Sequence, residues 1–151
     1  MTKLKLEIDS RGFGELGEVA IQAIDLALKY TATEVWGHIR RDAPVDHGRL
    51  AGSFQLFRDD AMTYRISTEV HYALHVHDGT GIYGPSRMPI RPTTARALSF
   101  YWRKAGKQMV VGSVAGQPGR KYTERGLMEA GGRTQEFIRR AVDETLASRT
   151  T

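Results

Sequence analysis

Apolar residues at Leu16, Val19, Ala20, Ala23, Leu26, Ala27 and Tyr30 recur at three- and four-residue spacing and continue through Val35 and Ile39. That is the period of a helix with one face turned to a core. The pattern predicts one long amphipathic helix, Glu15 to Arg41, about 40 Å long at about 1.5 Å per residue. Thr31-Ala32-Thr33 is a weaker spot, because Thr is a mediocre helix former. Trp36, near the end of the helix, is expected to pack against a sheet; an aromatic anchor for a partner is the alternative. Before the helix, Leu4, Leu6 and Ile8 alternate with Lys3, Lys5 and Glu7 as a short strand, which Ser10-Arg11-Gly12 breaks.

The period changes at Ala43-Pro44. Pro44 lacks an N–H and restricts Ala43, so the helix should stop there. Asp46, His47 and Gly48 are turn residues, with Gly48 free to take a positive φ. Leu50 and Phe54 then offer apolar anchors around Gly52-Ser53. Three alternating runs follow: Ser53 to Arg58, Thr63 to Val70 after an Asp59-Asp60 turn, and His71 to Asp78. The connections are too short for crossovers, so these strands should be antiparallel.

From Asp78 to Pro92, Gly79, Gly81, Gly84, Pro85, Pro89 and Pro92 predict a long loop, functional or mobile. Ala97 to Trp102 and Gln108 to Val114 form a hairpin across Arg103–Lys107, although Ala95, Leu98 and Trp102 also fit a helical turn. Gly112 to Gly119 is a second loop. Glu124 to Ala130 and Thr134 to Ala147 are helical, separated by Gly131-Gly132, with Phe137, Ile138, Ala141, Val142 and Leu146 on one face. The expected fold class is α+β: a long N-terminal helix on a small twisted antiparallel sheet of about four or five strands, closed by a C-terminal helix. All 151 residues are expected to form a single domain.

Composition narrows the chemistry. With no Cys among 151 residues, disulfides, thiolate metal sites and Cys nucleophiles are excluded. No apolar stretch is long enough for a signal peptide or a membrane span, so no membrane partner is expected. The formal charge of +5 raises the question of nucleic acid, yet Arg40-Arg41, Arg103-Lys104, Arg120-Lys121 and Arg139-Arg140 are separate pairs and no basic arm is visible. His71, His75 and His77 would share one face of the third strand beside Asp78, but a metal needs further ligands from elsewhere, and no cofactor is expected. Ser53 near His47 is the one local nucleophile–base candidate, and it lacks an elbow pattern. Gly79-Thr80-Gly81 and Gly112 to Gly116 lack the ending of a phosphate-binding loop. No enzymatic activity is expected.

Three segments carry a resemblance. The corner Pro44-Val45-Asp46-x-Gly48-x-Leu50-x-x-Ser53, the run Tyr72-Ala73-x-x-Val76-x-x-Gly79-Thr80, and Arg91-Pro92 followed by Ala97-Leu98-Ser99-Phe100 stand in that order. Together they resemble the tailed-bacteriophage head–tail joining family, which includes neck, tail-completion and minor tail components. The matches lie between Pro44 and Phe100, in the middle of the chain; His47 stands where the family usually has Thr. The resemblance implies a structural virion protein, made in the host cytoplasm and assembled at the phage neck or tail top. Its partners would be further copies of itself in a ring, expected as a hexamer, with neighbouring stopper, connector or tail-tube proteins, and genome DNA passing through the lumen. The candidate interface residues are Arg49, His75, His77, Arg87, Met88 and Arg91. One heterologous face would come from His71–His77 and the following loop, the other from the long helix. A basic nucleic-acid-binding protein is the alternative.

Overall fold

The computed structural model describes residues 2–7, 17–44 and 48–149, the first of these segments by its backbone. Two compact units emerge: one formed by residues up to 71 together with 122 onward, the other by residues 72–121.

The first unit is built on α1 (Glu18–Asp42), unbroken through Thr31-Ala32-Thr33. The Thr31 and Thr33 hydroxyls donate to the carbonyls of Ala27 and Lys29, 2.9 and 2.7 Å away, so both satisfy themselves within the helix. Its buried face is Ala23, Ala27, Leu28, Ala32, Val35 and Ile39. Leu28 and Ala32 belong to that face although the reading of the period passed over them. The helix ends as Pro44 dictates: Ala43 turns to φ −62°, ψ 132°. Leu16 and the turn residues Asp46 and His47 lie outside the described residues.

After the corner, α2 (Arg49–Ser53) precedes β2 (Gln55–Asp60) and β3 (Thr63–Thr68). The anchors Leu50 and Phe54 are both buried. With β1 (Thr2–Glu7) these strands form an antiparallel sheet in the order β1-β3-β2, in which Leu4 and Leu56 both face Ile66 in register. The turn between β2 and β3 is Ala61-Met62 rather than Asp59-Asp60: Asp60 closes β2 after an irregularity at Arg58, and Met62 takes φ 65°. Leu28 and Ala32 of α1 pack on Tyr64 of the central strand. Trp36 meets the start of β2 as expected, its indole N–H donating to the Phe54 carbonyl at 2.9 Å.

Helices α4 (Tyr122–Gly131) and α5 (Thr134–Ala147) close this unit. Tyr122 is wholly buried, edge-on to Phe54 with ring centroids 5.5 Å apart. Gly126 lets α4 approach α1; an added Cβ would lie 3.3 Å from Ile39. On α5, Phe137 and Ala141 are buried, whereas Ile138, Val142 and Leu146 are exposed. Three of the five residues of the expected apolar face therefore look to solvent. Arg133 ties α5 to α1 through Glu34 at 2.7 Å. The class is α+β, with α1 on a small antiparallel sheet and C-terminal helices.

The second unit corrects two expectations. Residues His71–Asp78 are not a strand: Ala73–Asp78 is a short helix, α3. The remaining strands, β4 (Leu98–Trp102) and β5 (Lys107–Val111), form their own two-stranded ribbon rather than extending the first sheet. The hairpin reading of these residues was right and the helical-turn alternative is excluded.

Candidate functional site

Because Ala73–Asp78 is helical, the three histidines do not share a face. His71 and His75 are exposed, while His77 is about nine-tenths buried. His77 is thus removed as a surface contact. Its Nδ1 lies 2.8 Å from Asp78 Oδ1, and the Lys121 ammonium donates to the same oxygen at 2.8 Å. The backbone repeats the join, since Arg120 and Lys121 donate their N–H groups to the carbonyls of Val76 and His77 at 2.9 and 3.1 Å. Among the described residues, no group of three or more His, Asp or Glu is placed to hold a metal ion.

The hydrogen bond from Lys121, followed by that from His77, holds the Asp78 carboxyl below its ordinary value of 3.8. A depressed carboxyl stabilises the fold above its unfolded-state pKa, and that contribution disappears as pH falls through the lower folded value. Asp78→Asn should therefore melt below the parent at pH 7, and the gap should shrink as the pH is taken below about 3.8. Parallel thermal melts at pH 7 and pH 3 check this; a gap equally wide at both would assign the loss to packing instead of charge.

The segment after Asp78 is no free loop. Gly79 and Ile90 bridge antiparallel to Pro118 and Val114. Thr80 and Ile82 donate to the carbonyls of Gln117 and Ala115, each at 2.8 Å. The expectation of a mobile loop is accordingly narrowed, because its backbone is already paired inside the unit. Gly81 and Gly116 make the closest approach. A Cβ on Gly81 would sit 2.0 Å from the Ala115 carbonyl oxygen, and one on Gly116 2.1 Å from that of Thr80. The two expected loops are thus the two sides of one backbone-paired arm.

This arm presents Arg87, Met88 and Arg91 to solvent, Met88 at 66% exposure. Among the described residues of unit 72–121, Ala73 alone joins the buried hydrophobic core. Tyr83, Phe100, Tyr101, Trp102 and Val110 are exposed alongside Met88. In the ribbon, Leu98 faces Val111 and Phe100 faces Met109, which gathers apolar side chains on one side. An isolated two-stranded hairpin is marginal in water.

Among the described residues, the polar groups of two further candidate sites are already engaged within the fold. The Ser53 hydroxyl donates to the Leu50 carbonyl at 2.7 Å and lies 2.6 Å from Thr68 Oγ1. It caps a helix end, and its partner in the sequence reading, His47, lies outside the described residues. In the first unit an open groove of about 670 Å³ runs past Asp25, Lys29, Arg58, Tyr64 and Glu144. Asp25 there already accepts from Arg58 at 2.7 Å and from the Met62 N–H at 3.1 Å. A carboxylate so occupied is poorly placed to act as a base.

At the corner, Gly48 adopts φ 70° and Arg49 is exposed. Gly48→Val should lower stability by about 1–2 kcal/mol through the left-handed backbone alone, since among the described residues nothing beyond its chain neighbours stands within 4 Å of an added Cβ. Arg49→Ala should leave the melting point within the range of an ordinary surface change, about 0.5 kcal/mol. Thermal melts of both variants separate a residue of the turn from one that only faces outward.

Compared with family models, with curated proteins and with solved structures, the chain has no match.

Proposed function

We propose that this chain is a structural subunit of a tailed phage or prophage virion, associating with copies of itself in a ring at the neck or tail top and joining head to tail or completing the tail. The observation that carries the association is the absence of a buried core in unit 72–121, where Ala73 is the one buried hydrophobic residue among those described. Roughly fifty residues that leave Met88, Tyr101 and Val110 more than 60% exposed present surface that association would cover. The phage assignment rests on the ordered segments at Pro44-Val45-Asp46, Tyr72-Ala73, Gly79-Thr80 and Arg91-Pro92. The paired arm carries Arg87, Met88 and Arg91 at its surface, where Arg suits forked bonds to carboxylates and Met adapts to an apolar partner.

Electron microscopy and native mass spectrometry of the purified chain test the reading. Closed rings are expected, and Met88→Asp with Arg91→Glu should convert them to folded monomers of unchanged melting point. A parent that stays monomeric at high concentration, alone and with tail-tube protein, would overturn it. In the genome, portal, capsid and tail-tube genes are expected alongside.

A further inference from the structure

The charges of this chain are sorted by unit. Residues 72–121 carry eight Lys or Arg against Asp78 alone, a formal +7, while the rest carries 14 against 16, a formal −2. No Asp or Glu occurs between Asp78 and Glu124. Asp78 itself is neutralised locally by Lys121. Three of the cations, Arg103, Lys104 and Lys107, crowd the tip of the β4–β5 ribbon, all exposed. There Trp102 faces Lys107 across the ladder, with Trp102 and Tyr101 47% and 61% exposed.

We infer that the ribbon tip binds nucleic acid through its sugar–phosphate backbone, with Tyr101 and Trp102 available to bases or sugars. Mutual repulsion of so many like charges without interleaved carboxylates is unfavourable unless a polyanion relieves it. Exposed aromatics beside cations are the combination that grips a strand without reading its sequence. A two-stranded ribbon also fits the major groove of a duplex, roughly 12 Å wide. A second copy of the chain is the poorer occupant. Asp25, Glu34, Asp42, Asp59, Glu136 and Glu144 already pair with arginines of their own chain, and the net −2 outside residues 72–121 is small against their +7. The inference does not depend on the virion reading.

Fluorescence anisotropy with a labelled 20-base-pair duplex and a 20-nucleotide single strand, each of mixed sequence, tests it in 50 and 200 mM salt. The expected result is binding of at least one of them that weakens with salt. Lys104→Ala with Lys107→Ala should reduce the slope of log affinity against log salt by about 2 at most and leave the melting point and the native size unchanged. Trp102→Leu should weaken the single strand more than the duplex if bases stack there. Polyglutamate serves as the protein-like competitor. No binding at 50 mM salt, a salt slope unchanged in the double variant, or equal displacement by polyglutamate at matched charge would overturn the inference, the last in favour of an acidic protein partner.

Discussion

Tyr122→Ala is expected to cost about 3–5 kcal/mol, the range for deleting a large buried aromatic ring. The ring is wholly excluded from solvent and is the largest such side chain among the described residues. It stands edge-on to Phe54, whose carbonyl in turn holds the Trp36 indole. One ring thus locks the start of α4, the entry to β2 and the C-terminal half of α1. Shrinking it to a methyl leaves a void that Phe54 cannot fill without releasing that carbonyl. At this chain length each kcal/mol moves the melting point by about 2–4 °C, so a drop near 10 °C is expected. Tyr122→Phe keeps the ring and should lose only about 1 kcal/mol. Chemical denaturation of the three proteins decides it; an alanine variant within 1 kcal/mol of the parent, on the scale of a single net hydrogen bond, would show that the ring is not a keystone.

Gly81→Val should be as severe but confined to residues 72–121. The new Cβ would need the space of the Ala115 carbonyl 2.0 Å away, at a backbone φ of 64°. Neither chain can give way alone, because Ile82 N–H and the Ala115 carbonyl are hydrogen-bonded across the same spot. A β-branched side chain at positive φ adds its own penalty. The total should exceed about 3 kcal/mol, combining strain with lost pairing. Amide exchange is the suitable measurement. Protection at Thr80, Ile82, Ile90 and Val114 should vanish, while amides in the middle of α1 stay slow. Retained protection at Ile82 would mean that the close approach is softer than its geometry implies.

Elements with a sustained period were legible from the sequence. The limits of α5 agree with the reading, α1 begins three residues later and ends one residue later than expected, and Pro44 stops α1 for the stated reason. The β4–β5 hairpin was likewise visible in alternation around a Gly-containing turn. His71–Asp78 misled because Tyr72, Leu74 and Val76 alternate, and eight residues are too few to separate a period of 2 from one of 3.6. The deciding spacing was Ala73 to His77, one helical turn apart and both buried, with Gly79 at φ 89° accepting the chain where the helix ends. The charge of unit 72–121 was missed for another reason. The cations fall in separate pairs, and the informative signal is the stretch without acids after Asp78. The backbone pairing of residues 79–90 with 114–118 leaves no local mark, since glycines report permitted conformations and not partners.

Residues 72–121 are spliced between the two halves of the first unit, and this sets an order of events during synthesis. When β3 leaves the ribosome, α1 has no α4 or α5 to cover Val35, Ile39 and Phe54. Tyr122 follows only after about fifty further residues, which at roughly 5–20 residues per second is a delay of about 2.5–10 s. Through that interval the apolar side of α1 stays open to whatever else is nearby, the same helix of a neighbouring nascent chain included. A chaperone that shields short helical faces would therefore have its longest opportunity here, before α4 and α5 arrive and close the core from behind.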